Sequence, residues 1–238
     1  MKKISKSELT SYLFCPNKYF LTYVRKIRQP TTEAMLSGTR MHNVFEKFFD
    51  VCFGVEPENW DKLIKTDELN DIEKRQVSFF LQQEKFRFEE LCKAGRERDY
   101  YPIMREKRLE SDTLGLKGYI DRVDVLTKGK EVTLVEYKTG GKIDLTGIRR
   151  ELSFYKLLWD DQCGADAGVA TQFLLVNPKL ETYHYMKAYG RSVKAVEKQI
   201  EKLRCALDND DFPRKPHDRK CAACGMCRYV EELDLSNI

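Results

Sequence analysis

An α/β sandwich around a small mixed sheet is the fold class the sequence predicts, and three observations predict it. Strand-like alternation is confined to the middle of the chain, amphipathic helical segments precede, interrupt and follow it, and 238 residues suit one full core rather than two. The order of segments is helices, three strands, a helix, two strands and a helix, so one domain over residues 1–238 is expected.

The elements follow from local chemistry. Ser5-Lys6-Ser7-Glu8 is a capping-box pattern, so a first helix starts there and runs through Leu9, Tyr12 and Leu13 toward Cys15, where Pro16 stops or turns it. A second helix is expected after Gly38, with Met41, Val44, Phe45, Phe48, Phe49 and Cys52 at helical spacing. A third, charged helix runs from about Asp67 to Lys93 with Ile72, Phe79, Phe80 and Phe86 as its apolar stripe, and Gly95 closes it. Residues 53–95 read as a helical insertion or lid, because their apolar content is too small for a core of its own.

The middle of the chain changes period. Ile103–Leu109, Leu116–Leu126 and Glu131–Lys138 read as strands, with Lys128-Gly129 as the turn between the last two. A helix follows with Leu145, Ile148, Leu152, Tyr155 and Trp159 on one face. Strands at Val169–Val176 and Thr182–Lys187 flank a turn at Asn177-Pro178, and a last helix carries Val193, Val196, Ile200, Leu203 and Leu207.

Composition bounds the function. The 42 Lys+Arg against 38 Asp+Glu give a net charge of +4, too mild to announce a partner. Residues 1–30 hold Lys2, Lys3, Lys6, Lys18, Arg25, Lys26 and Arg28 against the single acid Glu8, which suits a phosphate footprint and equally a solvated surface. No run of about eighteen apolar residues exists to span a bilayer. The basic start lacks the apolar stretch of a signal peptide, so a cytoplasmic location is expected. In that compartment eight cysteines point to a metal rather than to disulfides.

The central hairpin carries the chemistry. A turn centred between Lys128 and Gly129 sets Asp121 opposite Glu136, and two facing carboxylates repel unless a divalent cation such as Mg²⁺ or Mn²⁺ lies between them. Lys138, two residues on, shares the face of Glu136 and can orient a nucleophile or steady developing charge. Pairing of Asp121 with Arg122 or Lys138 on a solvated face explains the same residues equally well. His42 lies at the border of the second helix's apolar stripe, where it is either a further ligand or a partner of Glu46.

Three segments in order, Gly38-Thr39-Arg40-Met41-His42, Gly118-Tyr119-Ile120-Asp121-Arg122-Val123-Asp124 and Val135-Glu136-Tyr137-Lys138-Thr139-Gly140, resemble the PD-(D/E)xK nuclease superfamily. The nearest branch is the RecB-like exonucleases, including CRISPR-associated and phage nucleases. The resemblance implies a restriction-endonuclease-like core in which His42, Asp121, Glu136 and the backbone carbonyl of Tyr137 bind Mg²⁺ or Mn²⁺ while Lys138 positions the attacking water. Glu106, on the preceding strand, falls near the site. The family's Gln-x-x-x-Tyr motif, which holds DNA near the metals, corresponds here to Glu151 through Tyr155, with Glu151 replacing Gln and Arg149 and Arg150 just before it. The implied activity is exonuclease action on single-stranded DNA or DNA with free ends, in recombination, repair, phage replication or CRISPR adaptation, with a helicase or CRISPR adaptation proteins as partners. The alternative is a non-catalytic nucleic-acid-binding or assembly module on the same fold.

Cys221, Cys224 and Cys227 sit at two-residue intervals in a C-terminal segment, residues 212–230, and need a fourth ligand. His217 completes a local zinc site with plausible spacing. The resemblance instead implies a [4Fe-4S] cluster held by Cys15, Cys221, Cys224 and Cys227, stapling the two ends of the chain, although the family's spacing before the last ligand is usually longer. Cys52, Cys92, Cys163 and Cys205 read as core residues.

Overall fold

Six strands form one mixed sheet: β1 (Ile4–Ser5), β2 (Met104–Ser111), β3 (Leu116–Thr127), β4 (Glu131–Tyr137), β5 (Val169–Asn177) and β6 (Thr182–Lys187). In this computed structural model, which describes residues 2–233, β3 pairs with three other strands. It pairs antiparallel with β2 and β4, β4 runs parallel to β5, and β5 pairs antiparallel with β6. The helices are α1 (Lys6–Phe14), α2 (Pro16–Tyr19), α3 (Glu33–Val51), α4 (Asp71–Lys93), α5 (Leu145–Gln162), α6 (Gly164–Ala167), α7 (Gly190–Asp208), α8 (Asp218–Cys224) and α9 (Met226–Glu232). None is long and apolar enough to cross a membrane.

The two-residue β1 escapes sequence periodicity, yet it sets the geometry of the site. It pairs parallel with Leu116 and Lys117 of β3, whose other edge is already taken there by β2. β1 therefore occupies the edge that β4 uses further along, and the chain emerges next to the end of β4. The Ser5–Glu8 capping box then starts α1 at once, with both reciprocal hydrogen bonds made.

Helices cover both faces. On one side α1, α5 and α7 bury Leu9, Ile148, Leu152, Trp159, Val196 and Leu203 with Leu134 and Phe173 of the sheet. On the other, α3 and α4 bury Phe45, Phe48, Val77, Phe80 and Leu81 with Val135, Tyr137, Leu174 and Val176. Residues 53–95 thus supply part of the core over the second face, including the fully buried Trp60.

Two expectations about helices and one about cysteines need correction. α3 begins at Glu33, capped by Thr32, and Gly38 lies within it. A Cβ at Gly38 would stand 3.3 Å from Thr139 Oγ1, so the helix approaches the loop after β4 closely there. On α4, Ile72 and Phe86 are exposed, while the buried face carries Val77, Phe80 and Leu81 with the polar Glu73, Gln76 and Glu84. Cys52 is buried as expected, but Cys92 and Cys205 are exposed and Cys163 is only half-buried.

Gly118 is fixed by packing: a Cβ there would lie 2.8 Å from Cε1 of the buried Tyr155 ring on α5. Gly118→Ala is expected to cost about 1–3 kcal/mol, because the overpacked ring must leave its rotamer or push α5 from the sheet. Urea denaturation checks this; wild-type stability would show that Tyr155 yields freely.

Candidate active site

Strand alternation breaks where the site lies. Ile120 and Val123 are three residues apart, and regular pleating would send them to opposite faces, yet both bury in the same core cluster. Glu106, on β2, has φ +40°, a left-handed conformation that costs a non-glycine residue energy and interrupts the ladder between the pairs Arg105–Arg122 and Lys107–Ile120. The flanking pairs set Glu106 opposite Asp121, and the hairpin register beginning at Arg122–Val135 sets Asp121 opposite Glu136. Three carboxylates thus line up across β2, β3 and β4.

His42 reaches this row from α3. Its Nδ1 is hydrogen-bonded to Glu106 Oε1 at 3.1 Å and lies 3.8 Å from Asp121 Oδ2. His42, Glu106 and Asp121 offer ligand atoms all within 4.8 Å of one another, a spacing that suits one hard cation. Asp121 Oδ2 also accepts the backbone N–H of Tyr137 at 2.8 Å. The Tyr137 ring points into the α3–α4 core, where its hydroxyl accepts from Arg122 at 2.8 Å.

Glu136 is held differently. Its Oε1 accepts from Lys138 at 2.6 Å and from Lys6 at 2.9 Å, while its buried Oε2 has no hydrogen-bond partner among the described residues. The same two lysines meet Glu151 Oε2, at 2.8 Å for Lys138 and 3.3 Å for Lys6. Two ammonium groups and two carboxylates therefore alternate in a closed ring, and the Lys6 ammonium lies 5.2 Å from the centre of the Tyr155 ring.

The charges follow from these partners. Burial, reinforced by the Glu136 charge and opposed by His42, pushes Asp121 up to about 7. Burial would raise Glu136 too, but Lys6 and Lys138 outweigh it and hold that carboxyl at about 2. Burial would lower His42, yet its bond to Glu106 and the nearby Asp121 raise it. Lys138 is raised above its ordinary value because Glu136 overcomes its burial, so at neutral pH it donates hydrogen bonds and does not act as a base. An unsatisfied buried oxygen on Glu136 and an uncompensated Asp121 beside it are what a bound cation would relieve, so these residues fit a divalent metal.

The site continues into a groove. A cavity of about 440 Å³ runs from Lys138 and Glu151 along Lys142 and Arg150 to Phe14 and Lys220. Arg149 points away from it and packs over the Tyr189 ring at 5.7 Å, so Arg150 is the arginine of this pair that lines the groove. Phe14 and Lys220 also wall a second cavity of about 180 Å³, lined by Cys15, Cys221, Cys224 and Cys227. The segments around Cys15 and Cys224 meet there: Asn17 Nδ2 donates to Cys227 Sγ at 3.6 Å and Gln29 Nε2 to the Cys224 carbonyl at 3.2 Å. His217 does not line this cavity, and its Nδ1 accepts the Lys220 N–H to cap α8.

Sequence comparison decides the family. The sequence profile of the PD-(D/E)XK nuclease superfamily matches residues 3–231. The chain belongs to this superfamily. Among curated proteins none matches the chain. Among solved structures, a protein from Eubacterium rectale provisionally named an exonuclease is similar in fold, with a TM-score of 0.55 at 12% identity over 96% of this chain and 88% of that one. That similarity extends to the mixed sheet flanked by helices. His42, Glu106 and Asp121 are thus a candidate metal site within a nuclease-superfamily fold.

Lys6 and the left-handed Glu106 are the features of the site that periodicity does not disclose. The capping box announces where Lys6 begins a helix, but nothing local says that this helix starts beside β4.

Proposed function

We propose that the protein is a Mg²⁺- or Mn²⁺-dependent deoxyribonuclease of the RecB-like branch, acting as an exonuclease on single-stranded DNA. The observation that carries the reading is the row Glu106–Asp121–Glu136 across three adjacent strands, met by His42 on one side and Lys138 on the other. His42, Asp121 and Glu106, with the free oxygen of Glu136, would hold the cation. When bound, a divalent cation supplies Lewis acidity for the phosphodiester and for the attacking water. Lys138, protonated and anchored by Glu136 and Glu151, keeps one N–H that would serve the water or the charge that develops on phosphorus oxygens. Lys142, Arg150 and Lys220 give the adjoining groove the cations that a phosphate backbone needs, and Phe14 offers a ring for a base to stack on.

The test is cleavage of end-labelled single- and double-stranded DNA with Mn²⁺, with EDTA as control. Laddered or complete digestion of the single strand supports the reading. Binding without cleavage in Mg²⁺ and Mn²⁺ would instead make the protein a non-catalytic nucleic-acid module.

We further propose that Cys15, Cys221, Cys224 and Cys227 hold a [4Fe-4S] cluster. Support comes from four free thiols on one cavity and from His217, which a local zinc site requires and which instead caps α8. Anaerobically purified protein is expected to be brown, with absorbance near about 400 nm that Cys224→Ala diminishes. Colourless protein with stoichiometric zinc refutes the cluster.

A further inference from the structure

We propose that Lys6 is a second lysine of the active site, a positioning residue that fixes the Glu136 carboxylate and shares with Lys138 the charge of Glu136 and Glu151. The proposal rests on the nuclease reading of the site and adds a residue that the superfamily motifs in this sequence do not include.

The first argument is where Lys6 stands. It opens α1, and a cation in the first turn works against the helix dipole, so helix stability does not account for a lysine there. Its backbone is nevertheless fixed from two sides, by the β1–β3 pairing of Ile4 and Ser5 and by the Ser5–Glu8 capping box. Parallel pairing on the β4 edge of β3 brings the side chain to the end of β4. The ammonium is therefore delivered to Glu136 by rigid elements and not by a loop.

The second argument is the division of hydrogen bonds. Glu136 Oε1 is shared by Lys6 and Lys138, which orients the carboxylate and leaves Oε2 without a partner among the described residues. Glu151 Oε2 is shared by the same pair. Without Lys6, Lys138 alone would have to balance two carboxylates, Glu136 at 2 % exposure and the largely buried Glu151. A buried carboxylate short of a partner draws the remaining cation toward itself. Lys138 already bridges Glu136 and Glu151 and would then be their only ammonium partner, drawn more tightly to both and away from the attacking water. Lys6 thus offsets the charge that Glu151 brings.

The test uses the full-length protein with Lys6→Met, and Lys6→Gln as a second neutral variant if the first does not fold by circular dichroism. Single-turnover cleavage in saturating Mn²⁺ is expected to fall about 100-fold, the scale of a misplaced catalytic group. Affinity for a labelled oligothymidylate in EDTA is expected to stay within about threefold, since exposed groove cations and not Lys6 meet the strand. Calorimetric Mn²⁺ binding without DNA is expected to tighten on the order of tenfold, because a positive charge beside a ligand carboxylate has been removed. Lys6→Arg, which keeps the charge, should stay nearer the wild type in both readouts. A purely structural lysine would lower the melting temperature without tightening Mn²⁺ binding. Wild-type cleavage by the neutral variants, or Mn²⁺ binding unchanged or weakened, overturns the proposal. Failure of the underlying nuclease reading looks different: wild-type protein then neither binds Mn²⁺ nor cleaves, whatever Lys6 does.

Discussion

Asp121→Asn is expected to abolish cleavage and, in EDTA at pH 8, to raise the melting temperature. The two effects share a cause. Asp121 is buried between Glu106 and Glu136, and burial with the Glu136 charge pushes its carboxyl up to about 7. Above that pH the folded protein carries a buried negative charge that the unfolded chain carries in water at little cost. A carboxyl raised on folding binds its proton more tightly in the native state, so stability falls as pH rises from about 4 toward 7. Asparagine keeps an oxygen to accept the Tyr137 N–H and removes the charge. By linkage the gain is at most roughly 4 kcal/mol, or on the order of 10 °C for a chain of this size. Glu136 acts in the opposite sense: lowered to about 2 by Lys6 and Lys138, it stabilises the fold above its ordinary value and loses this contribution only as pH falls toward 2. Thermal unfolding in EDTA at pH 5 and pH 8 separates them, because the advantage of Asp121→Asn should appear at pH 8 and shrink at pH 5. Mn²⁺ should stabilise the wild type and not the variant. A variant less stable than wild type at pH 8, or one that still cleaves, would remove Asp121 from the site.

The hairpin register was legible because a turn and two strands are local. The pairs Arg122–Val135 through Val125–Val132 have the expected offset, although the turn itself pairs Thr127 with Glu131 and a bulge absorbs the difference. That register sets Asp121 beside Glu136, where His42 Nδ1 lies 3.8 Å from Asp121 and Lys138 donates to Glu136 at 2.6 Å. The features that stayed hidden depend on residues far away in the chain. β1 is too short to show alternation and exists because β3 offers an open edge. Gly38 looks like a helix boundary because glycine is a poor helix former, but it admits Thr139. The inward face of α4 is marked by acids, which apolar periodicity reads as solvent-facing. Glu73 is buried because Arg40 and Ser37 meet it, and Glu84 because Arg87 and Arg122 do. Period alone cannot announce partners supplied by another helix and by β3.

That last network supports the second large prediction. Arg122→Met is expected to destabilise the protein by about 3–5 kcal/mol, the usual cost of breaking a buried ion pair from one side. Arg122 is fully buried and donates to Glu84 at 2.7 Å, to Asp124 at 2.7 Å and to the Tyr137 hydroxyl at 2.8 Å. Glu84 is equally buried; burial would raise its carboxyl, but Arg122 and Arg87 hold it below its ordinary value, so Arg122→Met leaves Arg87 alone to offset that burial. The network balances two arginines, 87 and 122, against two acids, 84 and 124. Removing one of each restores the balance, since Arg87 also lies 3.7 Å from Asp124. Arg122→Met combined with Glu84→Gln should therefore be more stable than Arg122→Met alone by about 1–3 kcal/mol, measured by urea denaturation. If the second substitution destabilises further, the charges are not coupled as their distances imply. Activity should respond as well, because Tyr137 links the network to the site: its hydroxyl binds Arg122, its ring edge packs against His42 at 5.9 Å, and its N–H holds Asp121. Releasing the hydroxyl loosens the residue that orients two of the proposed ligands, so Arg122→Met should bind Mn²⁺ more weakly even where it remains folded.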